Sequence, residues 1–463
     1  MKKIPILFFI LAASCTEVVI NDESDLMSLP EPKSGTLTVE EALKELSDFN
    51  ESLYGNTDVK SSDRIAEIEV CKIPTTKRVS EEETLAYVVN YEDDKGFAVI
   101  NADPFSIPIV ARTESGHMDT QRLNNKILDL ISDFQTKSEI STDNSIDNSS
   151  LEDFIYEIIA KTLTSTPRNS SDSREYIYED WCDILKYGPL VTVKWNQTYP
   201  FNMKMESNDY WLTENYNYYR GYPPVGCGNV ALGQILATIK KPSRAPGTNT
   251  TYDWNVLRSL SNYTNISNYL PGKTSYPFDT NPILRSKVED LADFLYVISV
   301  LCKSNSTEDG TSSTTENTLE TMKYLDISYF SNAEILSYES NSSNMISCIQ
   351  AGKPVFCRGD RITDEDTKSI DDKKTAGHAW VVDGYTKRER DYTLITPDDL
   401  HHGTQTRYYF HINWGYCGKY DGYYDTDVFD MSQRVYIDDT IDTNPNTSLG
   451  NKAYTLNLKF IKY

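Results

Sequence analysis

Two polar stretches, one at 139–150 and one at 164–174, decide how this chain can be divided. Glu139 to Ser150 is almost entirely Ser, Asn, Asp, Thr and Ile, too poor in apolar surface to offset the entropy of ordering it. It reads as a loop or disordered insertion. Thr164 to Arg174 carries a proline and the basic residues Arg168 and Arg174, the composition of an exposed linker open to proteolytic nicking. An amphipathic helix from Leu151 to about Leu163 lies between them. With 463 residues, 39% of them hydrophobic, the chain has material for two or three folding units, and the linker is their expected boundary.

The first residues read as a targeting segment rather than as fold. Lys2 and Lys3 precede an apolar run from Ile4 to Ala13 that is too short to span a bilayer. Leu11-Ala12-Ala13-Ser14-Cys15 resembles a bacterial lipobox, in which cleavage leaves Cys15 as the lipidated first residue. The plainer alternative is a signal peptide cut near Ala13 with Cys15 incidental. The expectation is a signal peptide at 1–14, a flexible tether at 15–35 and an exported protein whose membrane contact is a lipid at Cys15. No later stretch is long and apolar enough for a transmembrane helix.

From 36 to about 135 the pattern is that of a small α+β unit. Thr38 with Glu41 forms a capping signal ahead of Ala42, Leu43, Leu46 and Phe49 on one helix face. Strand-like runs follow at Ala66–Val70 and Leu85–Tyr91, then a turn at Glu92–Gly96 and a returning strand at Phe97–Ile100. From 175 to the end the chain reads as a second α+β unit, helices first and antiparallel strands afterwards. Helices are expected from Cys227 to Lys240, Lys287 to Cys302, Asn317 to Leu325 and Ser343 to Ala351. Strands are expected at Pro354–Cys357, Gly377–Tyr385, Arg407–Asn413 and Ala453–Ile461. The 32 tyrosines, set among many Gly, Asn and Ser, favour sheet and turn over a helical bundle.

A formal charge of −24 excludes nucleic acid or an anionic membrane surface as a natural partner, because both would repel it. The eight cysteines show neither a dense disulfide framework nor a CxxC zinc pattern. His401 and His402 point in different directions on a regular backbone and lack a third ligand, so no metal or cofactor is expected.

Four short segments carry chemistry. Cys227 emerges from Pro223-Pro224-Val225-Gly226 at the first turn of an apolar helix, where the backbone dipole favours thiolate, the nucleophilic form. Alone, such a cysteine is more often a packing residue. His378 enters an apolar strand after Gly377 and can face a cleft, although a lone strand histidine is as readily a hydrogen-bonded core residue. Asn413-Trp414 can serve a thiol–imidazole site, the amide oxygen accepting from the imidazole and the indole shielding that bond. Gln197, in Trp195-Asn196-Gln197, can supply half an oxyanion hole with the Cys227 N–H as the other half. Either segment is otherwise ordinary packing beside a polar turn.

Taken in order, Gln197, Cys227, His378 and Asn413-Trp414 follow the chain order of papain-like cysteine peptidases. The chain resembles the streptopain family, which joins a papain-like catalytic domain to an inhibitory N-terminal prodomain. Pro224-Val225-Gly226-Cys227 is similar to that family's nucleophile segment, Gly377-His378-Ala379 with Asp383-Gly384-Tyr385 to its histidine strand, and His411-Ile412-Asn413-Trp414-Gly415 with Asp421-Gly422-Tyr423-Tyr424 to its closing motif. Lys95-Gly96-Phe97-Ala98-Val99-Ile100 is similar to its prodomain hairpin.

The resemblance implies an inhibitory prodomain at 36–174 and a cysteine peptidase domain at 175–463, with Cys227, His378, Asn413, Gln197 and Trp414 in the site. It implies protein and peptide substrates, a bulky apolar side chain two residues before the cut bond, and a prodomain that occludes the cleft. A cell-wall amidase or acyltransferase on the same fold, and a non-catalytic surface binding protein, are the alternatives. Departures from the family pattern are Gly228-Asn229-Val230 after the cysteine, Tyr416-Cys417 in the closing motif, and a long segment between Thr386 and Arg407 expected to alter the cleft rim.

Overall fold

The computed structural model describes residues 36–55, 64–74, 82–104, 106–135, most of 155–163, 175–207, 221–247, 251–260, 275–276, 278–307, 310–338, 341–362, 375–395, 400–426 and 456–463. The expected signal peptide, Cys15, the 15–35 tether, the 139–150 insertion and the 164–174 linker lie outside the described residues.

The first unit begins with α1 (Val39–Tyr54), started by the expected capping box: Glu41 N–H donates to Thr38 Oγ1 at 3.2 Å and Thr38 N–H to Glu41 Oε2 at 2.8 Å. Its face of Ala42, Leu46, Phe49 and Leu53 is buried against an antiparallel meander of β1 (Ile65–Pro74), β2 (Glu82–Tyr91), β3 (Phe97–Asn101) and β4 (Ile109–Thr113). The β2–β3 turn is the expected one. α2 (Thr120–Gln135) and the described helical residues of 155–163 cover the other face through Leu123, Ile127, Ile155, Ile158, Ile159 and Leu163.

The second unit opens with two strands that the sequence pattern did not reveal, β5 (Glu175–Tyr178) and β6 (Cys182–Tyr187). Its helical part comprises α3 (Cys227–Ile239), α4 (Trp254–Ser259), α5 (Pro282–Leu301), α6 (Thr315–Leu325), α7 (Ile327–Phe330) and α8 (Ser342–Gln350), with a small hairpin of β7 (Asn305–Thr307) and β8 (Gly310–Ser312). α5 starts earlier than its apolar periodicity indicates, because Asn281 caps it and Pro282 supplies a first-turn proline. The sheet strands are β9 (Glu334–Ser337), β10 (Val355–Ile362), β11 (Thr375–Ile395), β12 (Leu400–Asn413), β13 (Gly422–Asp425) and β14 (Leu456–Lys462).

β11 and β12 are far longer than expected. The segment after Thr386 does not shape a cleft rim; it extends one hairpin, paired from Thr386–Tyr409 out to Ile395–Leu400. That tip is at the far end from the Val381–Asn413 pair, and β5 and β6 hydrogen-bond along the outer half of β11.

The two units share one twelve-stranded sheet, with main path β1-β2-β3-β4-β13-β12-β11-β10-β14-β9. The join is β4 on β13, where Thr113 faces Gly422, Arg112 faces Tyr423 and Ala111 faces Tyr424. Gly422 is required there: a Cβ would lie 2.3 Å from the Arg112 carbonyl oxygen. One apolar cluster runs through the join, from Phe97, Val99 and Val110 to Phe410, Ile412, Trp414 and Tyr424. A second belongs to the second unit alone and packs α3 between α5 and the β10–β11 face.

Candidate active site

The apolar helix α3 is buried from Asn229 to Ala237, and its half-buried first turn presents Cys227. The turn before it is held from both sides. Asn202 Nδ2 donates to the carbonyls of Tyr222 and Pro223 at 3.0 and 3.2 Å, and Asn229 Nδ2 donates to the Val225 carbonyl at 2.6 Å. Gly226 caps the helix at φ 95°, a left-handed conformation, and a Cβ there would sit 2.9 Å from the Thr311 carbonyl oxygen. Gly228, unlike the family pattern, still leaves the helix start intact.

Three groups converge on the half-buried thiol. Ala379 N–H points at Cys227 Sγ at 3.3 Å, and the His378 side chain hydrogen-bonds to it. Arg358, opposite Ala379 across β10–β11, adds a second favourable charge. Burial pushes the thiol's pKa up, but the charge and hydrogen bond of His378, then Arg358 and the Ala379 amide, outweigh it and bring the pKa down to about 7 from 9.0. The other buried thiols go the opposite way: burial takes Cys71 to about 12, Cys302 to about 11 and Cys417 to about 12.

His378 lies on β11 opposite Gly359 of β10. Its Nε2 lies 3.2 Å from the Trp414 main-chain carbonyl. A carbonyl only accepts, so Nε2 carries the proton and Nδ1 is the nitrogen left for the thiol. The ring lies beside Trp380, 6.3 Å between centroids and nearly parallel, and beside Trp414 at 6.1 Å. Trp414 is fully buried, with its Nε1 donating to Tyr424 Oη at 3.3 Å.

Asn413 does not do what its position in sequence indicates. Its Oδ1 accepts from Gln234 Nε2 at 2.9 Å and from Gly415 N–H at 3.0 Å, and its Nδ2 donates to the Val193 carbonyl at 3.1 Å. The amide ties helix α3 to the 413–415 turn, and the imidazole takes a backbone carbonyl one residue later. Asn413 therefore places the acceptor rather than being it.

Gln197 is half-buried beside the cysteine turn, its carbonyl accepting from Val225 N–H at 2.8 Å. Its side-chain amide makes no hydrogen bond among the described residues. The Cys227 N–H belongs to the set that a helix leaves without an intrahelical partner at its start. Arg358 and Asp421, whose Oδ1 accepts from Trp414 N–H at 2.9 Å, were not anticipated as parts of this site. Asp421 lies within the closing motif; no pattern signalled Arg358.

Residues 195–424 match the model of the peptidase C10 family, and residues 34–138 match that of the Spi protease inhibitor. The chain belongs to the peptidase C10 family. It is a cysteine-type endopeptidase carrying an inhibitor domain ahead of its peptidase domain, the arrangement of a zymogen. Among solved structures, a prointerpain A fragment from Prevotella intermedia is 17% identical, covering 85% of this chain and 98% of its own, at a TM-score of 0.44. Active interpain A cysteine protease from the same organism is 18% identical, covering 60% and 94%, at a TM-score of 0.37. No curated protein matches the chain.

Proposed function

We propose that this peptidase C10 member cleaves peptide bonds through a Cys227–His378 pair and a thioester intermediate. The observation that carries the reading is the convergence on one thiol of an imidazole and a backbone N–H, with a pKa brought down to about 7. The Cys227 thiolate attacks the substrate carbonyl carbon, and the carbonyl oxygen becomes an oxyanion held by Gln197 and the Cys227 N–H. Protonated His378 gives its Nδ1 proton to the departing amine, leaving the acyl group on sulfur. Neutral His378 then takes a proton from water as that water attacks the thioester, which releases the acid and regenerates the pair. The Trp414 carbonyl keeps the imidazole in the required tautomer, and the indole keeps water from that bond.

The inhibitor domain at 36–174 is held on the enzyme at high effective concentration until the 164–174 segment is cut. Export follows from the 1–14 segment, and a lipid at Cys15 would anchor the inhibitor side of the chain, so that one cut both activates and releases the enzyme. The test is to reduce purified precursor and follow self-cleavage and casein hydrolysis beside Cys227→Ser. Hydrolysis by wild type and a stable, inactive Cys227→Ser precursor are expected. Equal casein turnover by the two would overturn the assignment.

A further inference from the structure

Five ionisable side chains meet beneath the 413–422 turn, and one of them comes from the inhibitor domain. Lys194, Asp383, His411 and Asp421 belong to the peptidase domain; Glu114 follows β4. His411 Nδ1 lies 2.6 Å from Asp383 Oδ1, while Asp383 Oδ2 accepts from Val191 N–H at 2.8 Å. Glu114 reaches into this group with one oxygen 3.4 Å from Lys194 Nζ and the other 3.8 Å from His411 Nε2. The second distance is charge pairing rather than a hydrogen bond. Side-chain exposure is 10% for Glu114, 5% for His411 and 0% for Asp383, so these charges are out of water.

The backbone delivers the carboxylate there. Glu114 N–H donates to the Asp421 carbonyl at 2.7 Å, Tyr420 N–H to the Ser115 carbonyl at 3.2 Å, and Ser115 Oγ to the Gly418 carbonyl at 2.6 Å. The turn gripped in this way is the one that holds the histidine: Asp421 Oδ1 accepts from Trp414 N–H, and the Trp414 carbonyl faces His378. Among the described residues, these contacts of Glu114 and Ser115 fall on this turn, on Lys194 and on His411.

We propose that Glu114 is the charge anchor of the inhibitor domain, its carboxylate seated between Lys194 and His411 to hold that domain on the turn that positions His378. Removing the carboxylate from the group leaves Lys194 and His411 facing Asp383 and Asp421. It also withdraws a neighbour that, after burial itself, helps to push the Asp421 carboxyl up to about 7. Asp421 then ionises more readily and accepts more strongly from Trp414 N–H. Departure of the inhibitor domain is thereby communicated to the imidazole's acceptor through two hydrogen bonds.

The inference rests on the peptidase reading above, and its test separates the two. Glu114→Gln, Glu114→Asp and wild-type full-length precursors are compared for the lag before self-cleavage under reducing conditions. Enzyme cut near residue 174 is the same molecule from all three, so final specific activity is a control. In parallel, Cys227→Ser full-length chains with a specific protease site inserted at 164–174 are nicked and gel-filtered to measure retention of the N-terminal piece. Loss of one partner from a desolvated charge pair at an interface weakens binding by about 30-fold or more. Glu114→Gln should therefore release the N-terminal piece that much more readily and shorten the lag, with Glu114→Asp in between. Lys194→Met should reproduce the release, and the double variant should add little to it. Equal retention by Glu114→Gln, Lys194→Met and wild type overturns the anchor. Absence of hydrolysis in every precursor refutes the peptidase mechanism while the retention measurement still decides the anchor.

Discussion

Replacing His378 with alanine gives the sharpest measure of what holds the Cys227 thiolate. With a pKa of about 7, the thiol is about one-tenth ionised at pH 6, whereas at the ordinary value of 9.0 it is about one-thousandth ionised. His378 supplies the two largest favourable contributions against a burial that pushes the other way, so its loss should carry the pKa to 9 or beyond. The thiolate fraction at pH 6 then falls about 100-fold. Each remaining thiolate is more basic and, at a Brønsted slope of about 0.4–0.5, roughly six- to tenfold more reactive. The net expectation is about a tenfold slower alkylation at pH 6, with the midpoint of the pH–rate curve displaced upward by at least about two units. Iodoacetamide labelling followed by peptide mapping reads Cys227 separately from the other cysteines. Arg358→Gln should move the same midpoint upward by less. A wild-type midpoint near 9, or one near 7 in His378→Ala, would refute the electrostatic account.

Gln197→Ala should lower kcat by about 10²- to 10³-fold with little change in KM, as expected for a donor used only when the oxyanion forms; steady-state kinetics on a small peptide checks it. Asn413→Ala strands the Gln234 and Gly415 donors and the Val193 carbonyl in a buried turn, and should cost about 2–4 kcal/mol in chemical denaturation of the precursor. Its kcat should also fall, because the Trp414 carbonyl loses its support. His411 is desolvated, which favours the neutral ring, yet Asp383 and Glu114 raise its pKa to about 10 from 6.5. The stability it lends is complete below about pH 6.5 and lost as pH rises towards 10, on the order of 5 kcal/mol across that window. Denaturation midpoints of the precursor should decline from pH 6.5 to 10, and His411→Asn should flatten that decline.

The sequence by itself determined those features whose causes lie within a few residues. Thr38 and Glu41 cap α1 through each other's side chains, and the Pro/Gly turn with the apolar repeat after Cys227 starts a buried helix. The order of Gln197, Cys227 and His378, with the resemblance it carries, pointed to a thiol and an imidazole in one neighbourhood, Cys227 opening a helix and His378 on a strand whose types are locally encoded. Tertiary structure alone decided which atoms meet. Asn413 faces Gln234 across 179 positions of chain, so helix α3 rather than the imidazole claims its amide, and a main-chain carbonyl that no side-chain pattern can announce takes the role. Arg358 reaches the site through its register opposite Ala379. The polar stretches read as a boundary between two units in sequence, but the strand-edge complementarity of β4 and β13, made possible by Gly422, joins the two sides into one sheet. Glu114 reads as one acidic residue in a turn until that join sets it between Lys194 and His411. Periodicity and capping are short-range properties of the chain, whereas register and charge pairing depend on segments hundreds of residues apart finding one another.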